Sequence, residues 1–434
     1  MGNDLKDLMG SKGARDVLVV SVGRGVASGL GFLATIVLAR RLGPQDFGLF
    51  SLSLAIMMVI SGIAGGSIDQ AIVKFSSFYL KKDRERAESI FKTTFKLKII
   101  IAFILLFAGF IFNKPLSRIV FNDSGSGNLI NLSFMGSISI ILLGFVLAFL
   151  QSHQTFGKHV FLELLNNIMK LGFIGILVLV NVLNPVSSMA VFAMVPFLTF
   201  MLGLKIIPRN FLRAGRSGEK LLPEIIHFSK WIVLSYIIFA LYRRMDIFLL
   251  NHFAEFRTVG IYSAAFNIAS ILDLVALSFF VVIFPKVSRF TTRNEYVDFV
   301  KRFLIGAIPL YLFVCILLWV VSKPLVAVCY TSEFIGSVSI LRILVPGFAV
   351  YLIALPLSAI ILSRNKPQLL VAYDFIALLI MFSGGIFLIP SYGAEGVAVA
   401  SLISHLIFMA LVIVGILNEI KNIPPEENGP VAAR

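Results

Sequence analysis

The stretch LYRRMDIFLL (241–250) sets Arg243, Arg244 and Asp246 inside an otherwise apolar run. Other stretches repeat the theme. Arg24 shares one helix face with Ser28, Gly31 and Thr35, at spacings of three and four. Glu163, Asn166, Asn167 and Lys170 follow one another along a second run. Ser263, Asn267 and Ser270 form a polar arc leading to Asp273, and Asp374 stands in a later run. Such groups handle ions. A guanidinium or ammonium in apolar surroundings binds an anion or pairs with a carboxylate. A carboxylate there takes up and releases a proton, or helps to bind sodium.

Each of these residues also has a purely structural reading. Arg24 lies roughly 10 Å into its run, so it is either a cavity cation or a side chain snorkelling to the interface. Lys170 is either a ligand group or the ion-pair partner of Glu163. Asp273 either couples an ion or pairs with Arg24 or Lys170. Arg243 and Asp246 are three apart and can pair along a helix. Arg244 points about 100° away and is the better candidate for a cavity-facing cation; alternatively all three charges reach the outer interface. Lys96, Lys98, Lys230 and Arg342 fall near run ends and read as snorkelling groups. His405 reads as a packed polar residue. Pro196, Pro309, Pro346 and Pro356 interrupt runs and fit kinked or moving helices.

The elements that position these residues are membrane spans. Of 434 residues, 58% are hydrophobic and only 14% charged, whereas a soluble domain carries about a quarter charged. Apolar runs of 18 or more residues recur along the chain, continuous rather than alternating, which excludes a β-barrel. The expected class is an all-α integral membrane protein with about twelve spans. Their expected ranges are 17–39, 48–68, 95–112, 128–150, 160–181 and 187–205, then 226–250, 259–285, 303–322, 338–362, 368–390 and 393–417. The net charge of +15 is explained by loops retained in the cytoplasm rather than by nucleic acid. Basic residues crowd the tail before residue 16, 74–92, 205–220 and 286–302, and are sparse on the other side, at Arg40, Arg41, Lys114, Arg118, Arg257 and Lys323. Both termini are therefore expected in the cytoplasm. Cys315 and Cys329 imply neither a disulfide framework nor a metal site. The first span reads as a retained helix rather than a signal peptide.

The chain reads as two halves. The cytoplasmic tail 1–16 precedes a six-helix bundle at 17–205. A basic linker at 206–224 leads to a second bundle at 225–418, and the polar, Pro-rich tail 419–434 reads as disordered. FGLFSLSLAI (47–56) and VGIYSAAFNI (259–268) match at Gly48 and Gly260, Phe50 and Tyr262, Ser51 and Ser263, Ile56 and Ile268, all 212 residues apart. Each half starts on the same side, so the repeat is parallel, as in transporters that rock two bundles around a midplane site. No G-x-x-x-x-G-K-[ST] loop is present, since TFGKH (155–159) lacks the first glycine and the Ser/Thr. H-E-x-x-H and a D-x-D pair are absent too. An enzyme is not expected, and neither is a cofactor beyond a coupling ion, H+ or Na+.

LARRLGPQDFGLFSLSLAI (38–56), PEIIHFSKWIVLS (223–235), MDIFLLNHF (245–253), VGIYSAAFNIAS (259–270), FPKVSRF (284–290) and SYGAEGVAVASLISH (391–405) keep a characteristic order and spacing. In these the chain resembles the polysaccharide transporter, or Wzx-like, flippases of the multidrug/oligosaccharidyl-lipid/polysaccharide exporter superfamily. The resemblance implies two six-helix bundles arranged like a V, alternating access, a central cationic cavity and export driven by an ion gradient. It implies a substrate made of a saccharide on a polyprenyl phosphate or pyrophosphate. A phosphate headgroup crossing a bilayer needs compensating positive charge, for which arginine is well suited. Arg24 falls in the first helix, where related flippases carry functional arginines; SIDQAIVKFSS (67–77) has Lys74 where they often have arginine.

The resulting expectation is a flippase for a lipid-linked oligosaccharide, serving cell-surface polysaccharide or glycan assembly in the cytoplasmic membrane. Arg24, Lys170, Arg243 and Arg244 are the expected headgroup contacts, with Asp273 and Asp374 as proton or sodium sites. Ser28, Thr35, Asn267 and Asp246 support them. Expected partners are the lipid-linked saccharide, membrane lipids and other polysaccharide-assembly proteins, with no nucleic acid. The rivals are a cation-coupled drug exporter of the same superfamily, a membrane-embedded glycan polymerase or ligase, and a membrane scaffold. A polymerase needs a large outer loop, and the longest expected here are 113–127 and 323–337.

Overall fold

The computed structural model describes residues 12–80, 82–123, 125–213 and 233–423. The two tails' ends, Lys230 and most of the basic linker lie outside them. The described chain is helical, with α1 at Lys12–Ala71, α2 at Arg84–Phe121, α3 at Gly127–Ser152, α4 at Phe156–Leu179 and α5 at Pro185–Ile206. Then come α6 at Val233–Tyr242, α7 at Met245–Phe253, α8 at Phe256–Ala269, α9 at Ile271–Val287, α10 at Arg293–Cys329, α11 at Ser337–Ser363 and α12 at Pro367–Lys421. Among the described residues, nine helical segments are long and apolar enough to cross a membrane. The protein is a multi-pass membrane protein.

Two of those segments hold two expected spans each. The connector expected between spans 17–39 and 48–68 is helical in α1 and breaks only at Gly43 (φ 74°, ψ 173°). That backbone suits glycine, and Pro44 behind it removes one helical donor. In α12 the break is at Gly393 (φ 54°, ψ −130°). The four prolines expected to interrupt spans all sit within continuous helices, Pro196 in α5, Pro309 in α10, and Pro346 and Pro356 in α11. The expected outer loops shrink as well. The helix α2 runs to Phe121 and α3 starts at Gly127, while α10 runs to Cys329. Asp83 caps α2 by accepting from the Arg86 N–H (3.0 Å), and Thr292 and Glu295 form a reciprocal cap on α10.

By contacts the chain forms two units, Met1–Ile247 with Ala254–Gly260, and Phe248–Phe253 with Ile261–Arg434. In the first, α3 is the buried centre. Its Ser133 and Ser137 hydroxyls donate to the Ser53 and Met57 carbonyls of α1 (2.9 and 3.0 Å). Such interhelical bonds stabilise membrane bundles by about 0.6 kcal/mol each. Phe91, Phe145, Phe149 and Phe211 cluster beside it, with Phe91 and Phe149 centroids 4.3 Å apart. In the second unit, α11 is the buried centre. The Tyr330 hydroxyl donates to the Ala264 carbonyl (3.2 Å) and Ser337 to that of Ile261 (2.7 Å).

The two centres occupy equivalent places in the sequence repeat. Residue 337, which starts α11, lies 210 positions after residue 127, which starts α3. The preceding helix of each unit presents an apolar, exposed face, with Phe103, Phe107 and Ile111 on α2 and Ile305, Phe313 and Ile316 on α10. Large apolar side chains on the outside are what lipid contact demands. Cys315 and Cys329 are not joined in a disulfide.

Candidate functional site

The first unit carries a polar seam between α1 and α4. The two helices approach closely at Gly23, where a Cβ would stand 2.1 Å from Val160 Cγ1. Further along, Gly31 faces the Asn167 side chain, whose Oδ1 would be 3.1 Å from a Cβ. Arg24 stands near one end of the seam. Its Nε donates to Glu163 Oε2 (3.3 Å) and its Nη2 lies 3.2 Å from His159 Nε2. The same Nε2 is 3.3 Å from Glu163 Oε1, and His159 Nδ1 lies 3.2 Å from the Leu147 carbonyl of α3. His159 is buried, whereas the Arg24 side chain remains 48% exposed. The guanidinium is thus anchored on one edge and open on the other.

Lys170 lies about 10 Å further along α4 than Glu163. Its ammonium stands 4.9 Å from the Phe192 ring of α5, a cation–π contact. Glu163 is therefore the partner of Arg24 and His159, and not of Lys170. Asn166 accepts from Thr199 at 3.4 Å and Asn167 donates to the Glu163 carbonyl at 3.0 Å. Of the residues expected to support the site, Ser28 is half-buried and Thr35 donates to the Phe32 carbonyl of its own helix.

The other candidates lie in the later helices. The run expected as one helix over 226–250 turns at Arg243 and Arg244, between α6 and α7. Arg243 and Asp246 thus stand on either side of a turn rather than on one regular helix. Arg243 lies 5.9 Å from the Phe239 ring, and the buried Asp246 accepts from the Ile247 N–H at 2.8 Å. The span expected over 259–285 is one apolar helical segment, Phe256–Phe284, with a single turn at Ser270, whose hydroxyl donates to the Asn267 carbonyl (3.1 Å). Asp273 follows three residues later, at the start of α9 within that segment. Asp374, on α12, is half-buried, with no hydrogen-bond partner among the described residues.

A family model described as polysaccharide biosynthesis protein matches residues 14–291, more than half of the chain. The chain belongs to that family. The probable low-salt glycan biosynthesis flippase Agl15 of Haloferax volcanii is 22% identical over 398 residues, covering 90% of this chain and 80% of that protein. Among solved structures, the lipid II flippase MurJ in an inward closed conformation superposes with a TM-score of 0.75 at 16% identity, over 94% of this chain and 88% of that one. An inward-facing multidrug resistance MATE family transporter of the MOP superfamily gives 0.73 at 14% identity, over 91% and 95%. At these identities the likeness is one of fold.

Two features of this polysaccharide biosynthesis family member escaped the sequence reading. His159 and Glu163 are four apart on α4, a spacing that signals a pair, but their meeting with Arg24 joins positions 135 and 139 residues apart. The second is Lys98, expected to snorkel. It is fully buried, bonds Asp69 of α1 and donates to the Ile141 carbonyl (2.8 Å). The next residue, Gln70, donates to the Tyr236 hydroxyl (3.0 Å), and a π-helical turn follows at Ile72–Ser76. Arg342 stands 4.4 Å from the Trp319 ring and donates to Ser322 Oγ (2.9 Å). His405 is packed between Phe348 and Tyr351, as expected of it.

Proposed function

We propose that this protein is a flippase, moving a lipid-linked oligosaccharide across the cytoplasmic membrane by alternating access. The cargo class is a saccharide on a polyprenyl phosphate or pyrophosphate, destined for cell-surface polysaccharide or glycan. The observation that carries the reading is Arg24, a half-exposed guanidinium in an apolar span, held on one edge by Glu163 and His159. A fork of donors with a free edge is what a phosphate group requires. Family membership and likeness to named flippases support the same reading.

In this reading Arg24, Lys170, Arg243 and Arg244 contact the headgroup. Asp273 and Asp374 bind the coupling ion, H+ or Na+. Both termini face the cytoplasm, on the strength of the basic residues that crowd one side. Other polysaccharide-assembly proteins supply the cargo and take it up. The test uses labelled lipid-linked saccharide in proteoliposomes, with and without an ion gradient. Wild type is expected to translocate it, and Arg24→Ala and Arg243→Ala to lose most of that rate while remaining folded. Full activity in both variants overturns the site. Export of small cations by wild type, with no saccharide transport, overturns the function.

A further inference from the structure

The contacts of His159 cannot all be made at once. Its Nδ1 faces the Leu147 carbonyl (3.2 Å), which only accepts, so Nδ1 carries a hydrogen. Its Nε2 faces a donor, Arg24 Nη2 (3.2 Å), and an acceptor, Glu163 Oε1 (3.3 Å). A neutral ring accepts from Arg24 and turns a lone pair towards Glu163. A protonated ring donates to Glu163 and turns a cation towards Arg24. One nitrogen serves one partner at a time.

We propose that His159 is a proton-binding site coupled to anion binding at Arg24: a phosphate that draws Arg24 away from Glu163 is accompanied by uptake of one proton on His159. The proposal rests on the reading of Arg24 as a headgroup contact. Once Arg24 turns to the phosphate, Glu163 is left as an anion in an apolar helix, which is costly. A proton from solution on His159 Nε2 replaces the lost cation. By linkage, protonation of the ring releases Arg24 and favours anion binding to the same extent. Histidine is the side chain whose charge changes most readily near neutral pH.

Among the described residues, the exchange is left to three groups. From α1 the ring meets Arg24; from its own helix it meets Glu163, with exposed Lys158 beside it in sequence. From α3 it meets the neutral Leu147 carbonyl, while His153, at the end of that helix, bonds the Phe149 carbonyl and stacks on its ring. The only charged residue of α5 is Lys205, exposed in its last turn.

The test uses the full chain in lipid nanodiscs, with farnesyl diphosphate as the probe. Calorimetry near pH 7.5 in two non-phosphate buffers of different ionisation enthalpy counts protons taken up per probe bound. His159→Gln keeps a neutral acceptor for Arg24 and cancels the probe's own titration. Wild type is expected to take up about one proton more than His159→Gln, and its affinity to rise by up to about tenfold more per unit fall in pH. Equal proton numbers overturn the proposal. Binding that survives unchanged in Arg24→Gln overturns the underlying headgroup reading instead. A second measurement needs no ligand. Nitrogen spectra of the histidine rings at pH 7, with the His159 signal assigned by its loss in His159→Gln, are expected to show a larger protonated fraction in Arg24→Gln than in wild type. An unchanged fraction overturns the proposal whether or not the probe binds.

Discussion

Gly48 and Gly260 lie against each other backbone to backbone. A methyl group at Gly48 would stand 1.9 Å from the Phe256 carbonyl oxygen, and one at Gly260 would stand 1.8 Å from that of Pro44. These are the glycines matched in the internal repeat, so both copies of the motif spend their glycine on the same contact. The obstacle is main chain and no rotamer change relieves it. Gly48→Ala and Gly260→Ala are each expected to cost about 1–3 kcal/mol or more, read as a lowered melting temperature in detergent. Gly25, on the same helix α1, has nothing within 4 Å of its would-be Cβ. Gly25→Ala is expected to be neutral or to stabilise by up to about 1 kcal/mol. Equal effects at Gly25 and Gly48 would contradict the close approach.

Arg24→Lys keeps the charge but not the fork. An ammonium cannot offer the two parallel donors with which a guanidinium grips a phosphate. The lost charge-assisted bond is worth about 1.5–3 kcal/mol, so transport in proteoliposomes is expected to fall by roughly tenfold to a hundredfold. Arg24→Lys at wild-type rate would show that charge alone suffices.

Lys98 is buried with Asp69 as its ionic partner and the Ile141 carbonyl as a second acceptor. Lys98→Met strands the carboxylate. The expected loss is about 3–5 kcal/mol, seen as a lower melting temperature and reduced yield. Adding Asp69→Leu removes the stranded charge and is expected to restore most of that stability. A double variant no more stable than the single one would mean that the pair is held for something other than mutual compensation.

The turn between α2 and α3 is expected to respond to acid. Asp123 accepts from the Gly125 N–H (2.9 Å) and from the Ser126 hydroxyl (3.1 Å), which together hold its carboxyl below the usual carboxylate range. With a folded value below the unfolded one, the contribution is complete above the usual value of about 3.9 and is lost as pH falls through the folded value. Amide exchange at Gly125 is expected to quicken beyond its intrinsic pH dependence in that acid window. Asp123→Asn removes the step, and a step that persists in Asp123→Asn assigns it elsewhere.

The sequence by itself determined the class, the approximate span positions, the repeat and the list of charges that an apolar helix must justify. Those follow from local physics, because a run of apolar residues long enough to cross hydrocarbon is visible in any window of the chain. Two kinds of information required the tertiary structure. The first is where helices break. Gly43 and Gly393 narrow to a single residue the breaks expected between neighbouring spans, while the turn at Arg243–Arg244 divides a run that composition joins. Apolar composition does not distinguish a straight helix from a broken one, since the backbone angles of a few residues decide it. The second is which charges meet. Arg24 finds Glu163 and His159 across 139 and 135 residues, and Lys98 finds Asp69 rather than the interface. Periodicity places each side chain on a face of its own helix, but only the packing of α1 against α4 and α2 decides which faces share a seam, and with it which charges are compensated and which stay open to a ligand.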